Sequence, residues 1–315
     1  MSQYIPGYQL IKDAVAGDKS SEKRVTFIGT RGSGKTTGLG CLALACGKRS
    51  EIDGNFKYAI FERNSGLREI PSLLQRGRFP PATLPGSVYE ADIIMEWKST
   101  FGTKKIRLPF CETAGEDVQK IIGRFSQDVY RTAPDWRSAS LLEKYIDMSN
   151  GFVIVIPVPR ALMFVDKGYQ LEPDDLSKDP DVNIARIVQA IIQCKEDSHS
   201  PRIEGMAVLL TQYDIIAFHT KHMGMDLYSV QGIQRFLNKY FPQTMGLLKF
   251  FDLTKVRFFP VHVQVVRDAN NPHEFAQWPD GTGDRIQIDD QRRLPVYSEE
   301  SYLNLIEWIK QTFAG

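Results

Sequence analysis

The sequence predicts an α/β fold: a mostly parallel central sheet with one antiparallel hairpin strand and helices on both faces. Three observations carry this. Short β-rich apolar runs alternate with segments of helical periodicity. Most of those runs are separated by stretches long enough for the crossovers that parallel strands require. Two of them, Val88–Trp97 and Lys105–Cys111, are joined only by a short turn through Ser99 and Thr103, so they pair as a hairpin.

The elements follow in order. Val25–Ile28 is the first strand, and the Ala/Leu-rich segment up to Cys46 is the helix after it. The hairpin comes next, then strands at Phe152–Ile156, Met206–Thr211 and Val256–Val261. A helix over Asp181–Lys195 sets Ile184, Ile187, Val188 and Ile191 on one face. Asp181 is its expected N-cap, after Pro180. Val230, Ile233, Leu237, Tyr240 and Phe241 mark a second helix, and Tyr302, Leu305, Ile306, Ile309 and Phe313 a C-terminal third. All three stripes are expected to be core faces. No linker separates two complete cores, so residues 1–315 are expected to form a single elaborated domain. Residues 1–23 are an N-terminal extension, and 166–181 and 268–300 are surface insertions. Loops that long in a compact domain are usually functional or mobile.

Composition bounds the function. Of 315 residues, 42% are hydrophobic and 24% charged, which excludes disorder of the whole chain. A chain this long buries a sizeable core without disulfides or metal. The 39 basic and 38 acidic residues leave a net charge of +1, which argues against a polyanion-coating protein. Nucleic-acid binding has no support beyond scattered arginines. The apolar stretch Gly151–Pro159 is far short of the ~20 residues that span a bilayer. The first residues lack the pattern of a signal peptide, and neither end carries a lipidation motif, so no direct membrane anchor is expected and a cytoplasmic location is. Cys41, Cys46, Cys111 and Cys194 lack metal-ligand spacing and read as reduced core thiols. His219 and His222 are three apart, with no partner pair to complete a metal site.

The strongest chemical signal is Gly29-Thr-Arg-Gly-Ser-Gly-Lys-Thr36, a match to G-x-x-x-x-G-K-[ST]. A chance match in a chain this long is on the order of 1%. Its setting, a strand before and a helix after, is the one the motif requires. Gly29, Gly32 and Gly34 let the backbone turn tightly and aim N–H groups of the loop, Ser33 included, at phosphate oxygens. The N-terminus of the following helix adds favourable field. Lys35 places a point charge on the β- and γ-phosphates. Thr36, with Thr37 beside it, lies where a hydroxyl reaches Mg²⁺. The loop predicts a P-loop NTPase that binds a nucleoside triphosphate, without selecting the base or establishing hydrolysis.

Further motifs follow in order. Glu112-Thr-Ala-Gly-Glu116 ends the second hairpin strand and resembles the Asp-x-x-Gly switch of Ras-like GTPases. Thr211-Gln-Tyr-Asp214 closes a later strand and resembles the [Asn/Thr]-Lys-x-Asp guanine motif of the same family. Gly77-Arg-Phe-Pro-Pro-Ala-Thr83 resembles the double-GTPase branch of the TRAFAC class, found in bacterial and archaeal multi-gene systems. The resemblance covers Val25 to about Val261. It implies that Glu112 reaches Mg²⁺ through water, that the Gly115 N–H senses the γ-phosphate, and that Glu116 stands in the water-orienting position. It implies that Thr83 is the switch threonine that joins Mg²⁺ in the triphosphate state. It also implies that Asp214 accepts from guanine N1–H and the 2-amino group, a donor pair adenine lacks. The chain departs from the family at Glu112 for aspartate, at Gln212 for lysine and at Glu116 for glutamine. Val261-His-Val263 stands where the family carries Ser-Ala; His262 is a strand histidine or a base-edge contact.

Arg31 lies inside the phosphate loop, and three roles stay open for it: crowding the attacking water, serving as an arginine in cis, or contacting a partner. Arg76, Arg78, Arg124, Arg131 and Arg137 flank the switches. An arginine at the transition state is worth roughly 10³–10⁵ in rate, so intrinsic hydrolysis is expected to be slow unless one reaches the site. The resemblance therefore implies a GTP/GDP switch with Mg²⁺ as cofactor and an effector or activating partner. A nucleotide-stabilised interaction module and a P-loop ATPase or kinase are the alternatives. Trp278, on the second insertion, is either a partner anchor or packed back on the domain.

Overall fold

The computed structural model describes residues 23–30, 32–62, 68–81, 89–100, 102–112, 143–158, 180–196, 202–213, 220–221, 223–251, 256–270 and 275–314. Strands β1 (Lys23–Gly29), β2 (Phe56–Glu62), β3 (Tyr89–Ser99), β4 (Gly102–Glu112), β5 (Gly151–Pro157), β6 (Gly205–Thr211) and β7 (Val256–Val261) form a seven-stranded sheet in the order β2-β3-β4-β1-β5-β6-β7. β3 runs antiparallel to both its neighbours, and every other pairing is parallel. This is the predicted sheet, with one strand the sequence reading missed: β2, the edge strand beyond the hairpin. Its residues follow no clean alternation, with Lys57 exposed and Phe56 and Ala59 buried. The hairpin turn is shorter than expected, because Ser99 already pairs with Gly102.

Helices α1 (Lys35–Ile52), α2 (Glu69–Gln75) and α6 (Glu299–Phe313) lie on one face; α3 (Pro180–Glu196), α4 (Val230–Tyr240) and α5 (Pro242–Leu248) lie on the other. Strand alternation produces the two layers. Val153, Val155, Ala207 and Leu209 join a core with Leu39 and Leu42 of α1 and Leu305 and Ile309 of α6. Phe152, Ile154, Met206 and Val208 join a second core with Ile184, Ile187, Val188 and Ile191 of α3 and Phe236 of α4. The central strands β5 and β6 are buried on both faces, hence their continuous apolar runs.

The C-terminal stripe is buried as expected. The stripe on α4 is not wholly core: Val230 is 55% exposed, and Phe241 lies past the end of the helix. Asp181 lies within the first turn of α3 rather than before it. Its carboxylate accepts from the backbone N–H groups of Gln243 and Thr244, so it caps α5 across the layer. Cys41 and Cys46 are buried in α1, and burial pushes the Cys41 thiol up to about 12, which keeps it protonated and inert. Within the stretch 268–300, residues 299–300 open α6 and much of the rest has paired backbone. Val263, Val265 and Arg267, continuing from β7, bridge Tyr297, Ile286 and Phe275, and Gln277 bridges Asp284; β8 (Ile288–Asp289) pairs with β9 (Leu294–Pro295). Trp278 packs back on the domain, its indole N–H donating to the Gly77 carbonyl. Among the described residues no helix is long and apolar enough to cross a membrane.

Candidate functional site at the carboxyl edge of the sheet

β1 lies between β4 and β5, and the helices that follow β1 and β5 cover opposite faces. A crevice therefore opens at the carboxyl ends of these strands, the usual ligand position in such sheets. The described parts of three motifs end there: the loop after β1, Glu112 at the end of β4, and Thr211 at the end of β6. Register sets Gly29 level with Val155, Pro157 with Thr211, and Thr211 with Val261. Phe27 is level with Phe110, so β4 delivers Glu112 to the height of Gly29.

The loop after β1 has the form its glycines predict. Gly34 has φ 83° and ψ 17°, a left-handed conformation that turns the chain into α1. Gly32 is also left-handed, at φ 71°. A side chain at Gly29 would meet the Val155 carbonyl at 2.7 Å, so the loop needs glycine there to approach β5. Lys35 opens α1 almost wholly buried, and its Nζ donates to the Thr30 carbonyl at 2.9 Å. The ammonium is thus folded over the loop that carries it. Thr36 and Thr37 follow in the first turn, half-buried. The first N–H groups of a helix have no intrahelical acceptor, and here they face the crevice with the positive end of an 18-residue helix behind them. Ser33 is fully buried, and among the described residues its hydroxyl has no hydrogen-bond partner.

Thr211, at the end of β6, ties the second motif to the first. Its hydroxyl donates to the Ser33 carbonyl at 2.8 Å. Gln212 then adopts φ 60°, left-handed for a residue that is not glycine. Such conformations cost of order 1–3 kcal/mol and cluster at ligand sites. Tyr213 is buried, its ring edge-on to His262 and to Tyr228, each at 5.1 Å between centroids. His262 is half-buried just past β7. Its N–H donates to Ser298 Oγ, and its carbonyl accepts from the Ser298 N–H at the start of α6.

Arg31, Thr83, Gly115, Glu116 and Asp214 lie outside the described residues, as do Arg124, Arg131, Arg137, His219 and His222. β4 reaches Glu112, whose side chain is also outside them. Sequence reasoning missed the Thr30 carbonyl as the seat of Lys35, the strained turn at Gln212 and the ring contacts of Tyr213. A loop carbonyl has no side-chain signature, and no glycine marks the turn at Gln212.

Among the described residues no group of three or more His, Cys, Asp or Glu side chains gathers as a metal cluster. Mg²⁺ demands few protein ligands, because it keeps waters and phosphate oxygens in its shell. A threonine in the first turn of α1, beside a loop with open space at Gly32, is a residue of the kind such a site uses.

No protein-family model matches the chain, and no curated protein sequence matches it. Among solved structures, the S. cerevisiae Ski7 GTPase-like domain bound to GTP is 13% identical, with a TM-score of 0.35 over 82% of this chain and 46% of that one. The same domain bound to GDP and inorganic phosphate gives 13% identity and a TM-score of 0.33 over 79% of this chain and 44% of that one. The chain thus spans less than half the length of these neighbours. A likeness of that size says nothing of base, hydrolysis or partner here.

Proposed function

We propose that the chain is a guanine-nucleotide-binding switch with slow Mg²⁺-dependent hydrolysis of GTP to GDP and phosphate, resembling the TRAFAC double-GTPase branch. The observation that carries this is the convergence of the glycine-rich loop, Lys35, the N-terminus of α1 and Thr211 on one edge of the sheet. In this reading the loop N–H groups hold the β- and γ-phosphate oxygens, and the Lys35 ammonium leaves the Thr30 carbonyl for them. Thr36, with Glu112 through water and Thr83 in the triphosphate state, would hold Mg²⁺, which when bound neutralises charge on the β- and γ-oxygens. Glu116 orients the attacking water and the Gly115 N–H marks the γ-phosphate. Gln212 lies along the base, and Asp214 accepts from its N1–H and 2-amino groups. Loss of the γ-phosphate releases both switch segments, which an effector or activating partner in the cytoplasm reads. The 1–315 single-domain organisation belongs to this proposal.

A second reading is supported by the family departures at Arg31, Glu112, Glu116 and Gln212: a nucleotide-stabilised interaction module that turns over negligibly. A P-loop ATPase or kinase is the third. One experiment separates them: binding of GTP, GDP and ATP with Mg²⁺, with phosphate release followed in the same samples. Guanine-selective binding with slow release is the expected result. Selective binding without release selects the module, and preference for ATP removes Asp214 as a base reader. Asp214→Asn is expected to abolish the preference for guanine; unchanged GTP affinity and base preference would overturn the assignment.

A further inference from the structure

We propose that the C-terminal lobe, residues 263–270 and 275–297, is a strap that grips the turn after α2 and thereby holds α1, the helix that opens at the phosphate loop, in its working position. The inference rests on the nucleotide-binding reading only for its functional consequence; the mechanical link is read from contacts.

The grip is specific. The Gly77 carbonyl accepts two N–H groups from the lobe: the Ile286 backbone at 2.9 Å and the Trp278 indole at 3.1 Å. Gly77 has φ +76°, and a side chain there would meet the Ile286 carbonyl at 3.2 Å and the Trp278 ring at 3.4 Å. Both its backbone angle and the space around it require glycine. Arg78 completes the joint. Its guanidinium stacks 4.4 Å from the centre of the Trp278 ring, pairs with Asp280 at 2.9 Å and donates to Thr282 Oγ1 at 2.7 Å. Hydrogen bonds from Thr282 and Arg78 hold the Asp280 carboxyl down at about 2, so the pair stays charged across the working pH range. Arg285 lies 5.3 Å from the same ring.

The other end of the linkage is as close. Ile70 and Leu74 of α2 press on α1 at Gly40, where a side chain would meet them at 2.5 and 2.7 Å. Both are buried in the core that contains Leu39 and Leu42 of α1 and Ile286 of the lobe. A seven-residue helix such as α2 has little stability of its own, so its seat is set by what it touches. Its C-terminal end is tied to the strap, and its buried face, Ile70 and Leu74, leans on the helix that presents Lys35 and Thr36. Trp278 is thus a positioning residue for the phosphate loop, on an element distant from it in sequence.

The test is hydrogen exchange by mass spectrometry on the full nucleotide-free chain, comparing wild type with Trp278→Ala. The expected result is faster exchange, by roughly 2- to 30-fold, in residues 69–79 and in the first turns of α1 as well as in the lobe. Trp278→Phe keeps the stack on Arg78 but loses the N–H, and should lie between. Acceleration confined to 263–297 would overturn the strap. If Trp278→Ala fails to fold, Arg78→Ala gives the same readout, since Arg78 is half-buried at the rim of the joint. In parallel, a fluorescent GTP analogue should bind the variant more weakly by a similar factor. A wild-type chain that binds no nucleotide would overturn the switch reading, while the exchange data still decide the strap.

Discussion

The Thr211 hydroxyl donates to the Ser33 carbonyl across 2.8 Å, joining the end of β6 to the phosphate loop 178 residues earlier. The same hydroxyl also lies 3.3 Å from the Ile156 carbonyl, so it ties β5, β6 and the loop at one point. Thr211→Val keeps the shape and removes the donor. A buried carbonyl left without its partner costs roughly 1–3 kcal/mol. Urea unfolding should show a loss in that range, with weaker nucleotide binding. An unchanged midpoint would mean that the bond adds nothing to the loop.

Lys35→Met removes the charge folded over the loop. Hydrogen bonds to charged groups are worth roughly 1.5–3 kcal/mol, so affinity for a fluorescent GTP analogue should fall about 10- to 100-fold. Affinity for GTP equal to wild type would dismiss Lys35 as a phosphate contact.

Asp181 is 2% exposed, and its two carboxylate oxygens serve the first free N–H groups of α5. Asp181→Ala should cost about 0.5–2 kcal/mol, the worth of a cap, and should speed amide exchange in residues 242–248 first. Were exchange to rise only within α3, the cap would belong to its own helix after all.

Leu209 on β6 is fully buried, and Leu209→Ala should destabilise the chain by roughly 2–5 kcal/mol. Val230→Ala should stay within about 0.5 kcal/mol, because Val230 stands out from α4 into solvent. Thermal denaturation of the two variants side by side tests the contrast; equal losses would place Val230 in the core.

Burial lowers the Lys195 ammonium from 10.5 to about 8, although its Nζ donates to the carbonyls of Asp147 and Ser149. Between about pH 8 and 10.5 the unfolded chain holds this proton and the folded chain does not, so the Lys195 contribution to stability rises with pH in that window. Cys41 works the other way: its thiol is raised from 9.0 to about 12, so its contribution falls once the unfolded thiol ionises. Lys195→Met isolates the lysine. The difference in unfolding free energy between wild type and variant should shift in favour of wild type as pH climbs from about 7.5 to about 9.5. A difference flat in pH would show that Lys195 titrates as it does in water.

The short apolar run that marks a buried strand is local, and so are the stripe that marks a helix face and the glycine spacing of a phosphate loop. They follow from burial, from the backbone period and from which residues tolerate a left-handed turn. For that reason β1, the hairpin, β5, β6, β7, the buried faces of α3 and α6, and Gly29 through Thr36 were legible before any fold was known. Edge strand β2 was not, because its burial is set by β3 and the helix above it rather than by its own alternation. Nor was the partner of Asp181, since a carboxylate that can cap its own helix can equally cap another brought near it. The seat of Lys35 on Thr30, the left-handed turn at Gln212 and the bond from Thr211 to Ser33 are likewise decisions of the tertiary structure. So is the grip of Trp278 on Gly77. Each depends on a backbone carbonyl or a space between elements far apart in the chain, and such groups have no letter in the sequence.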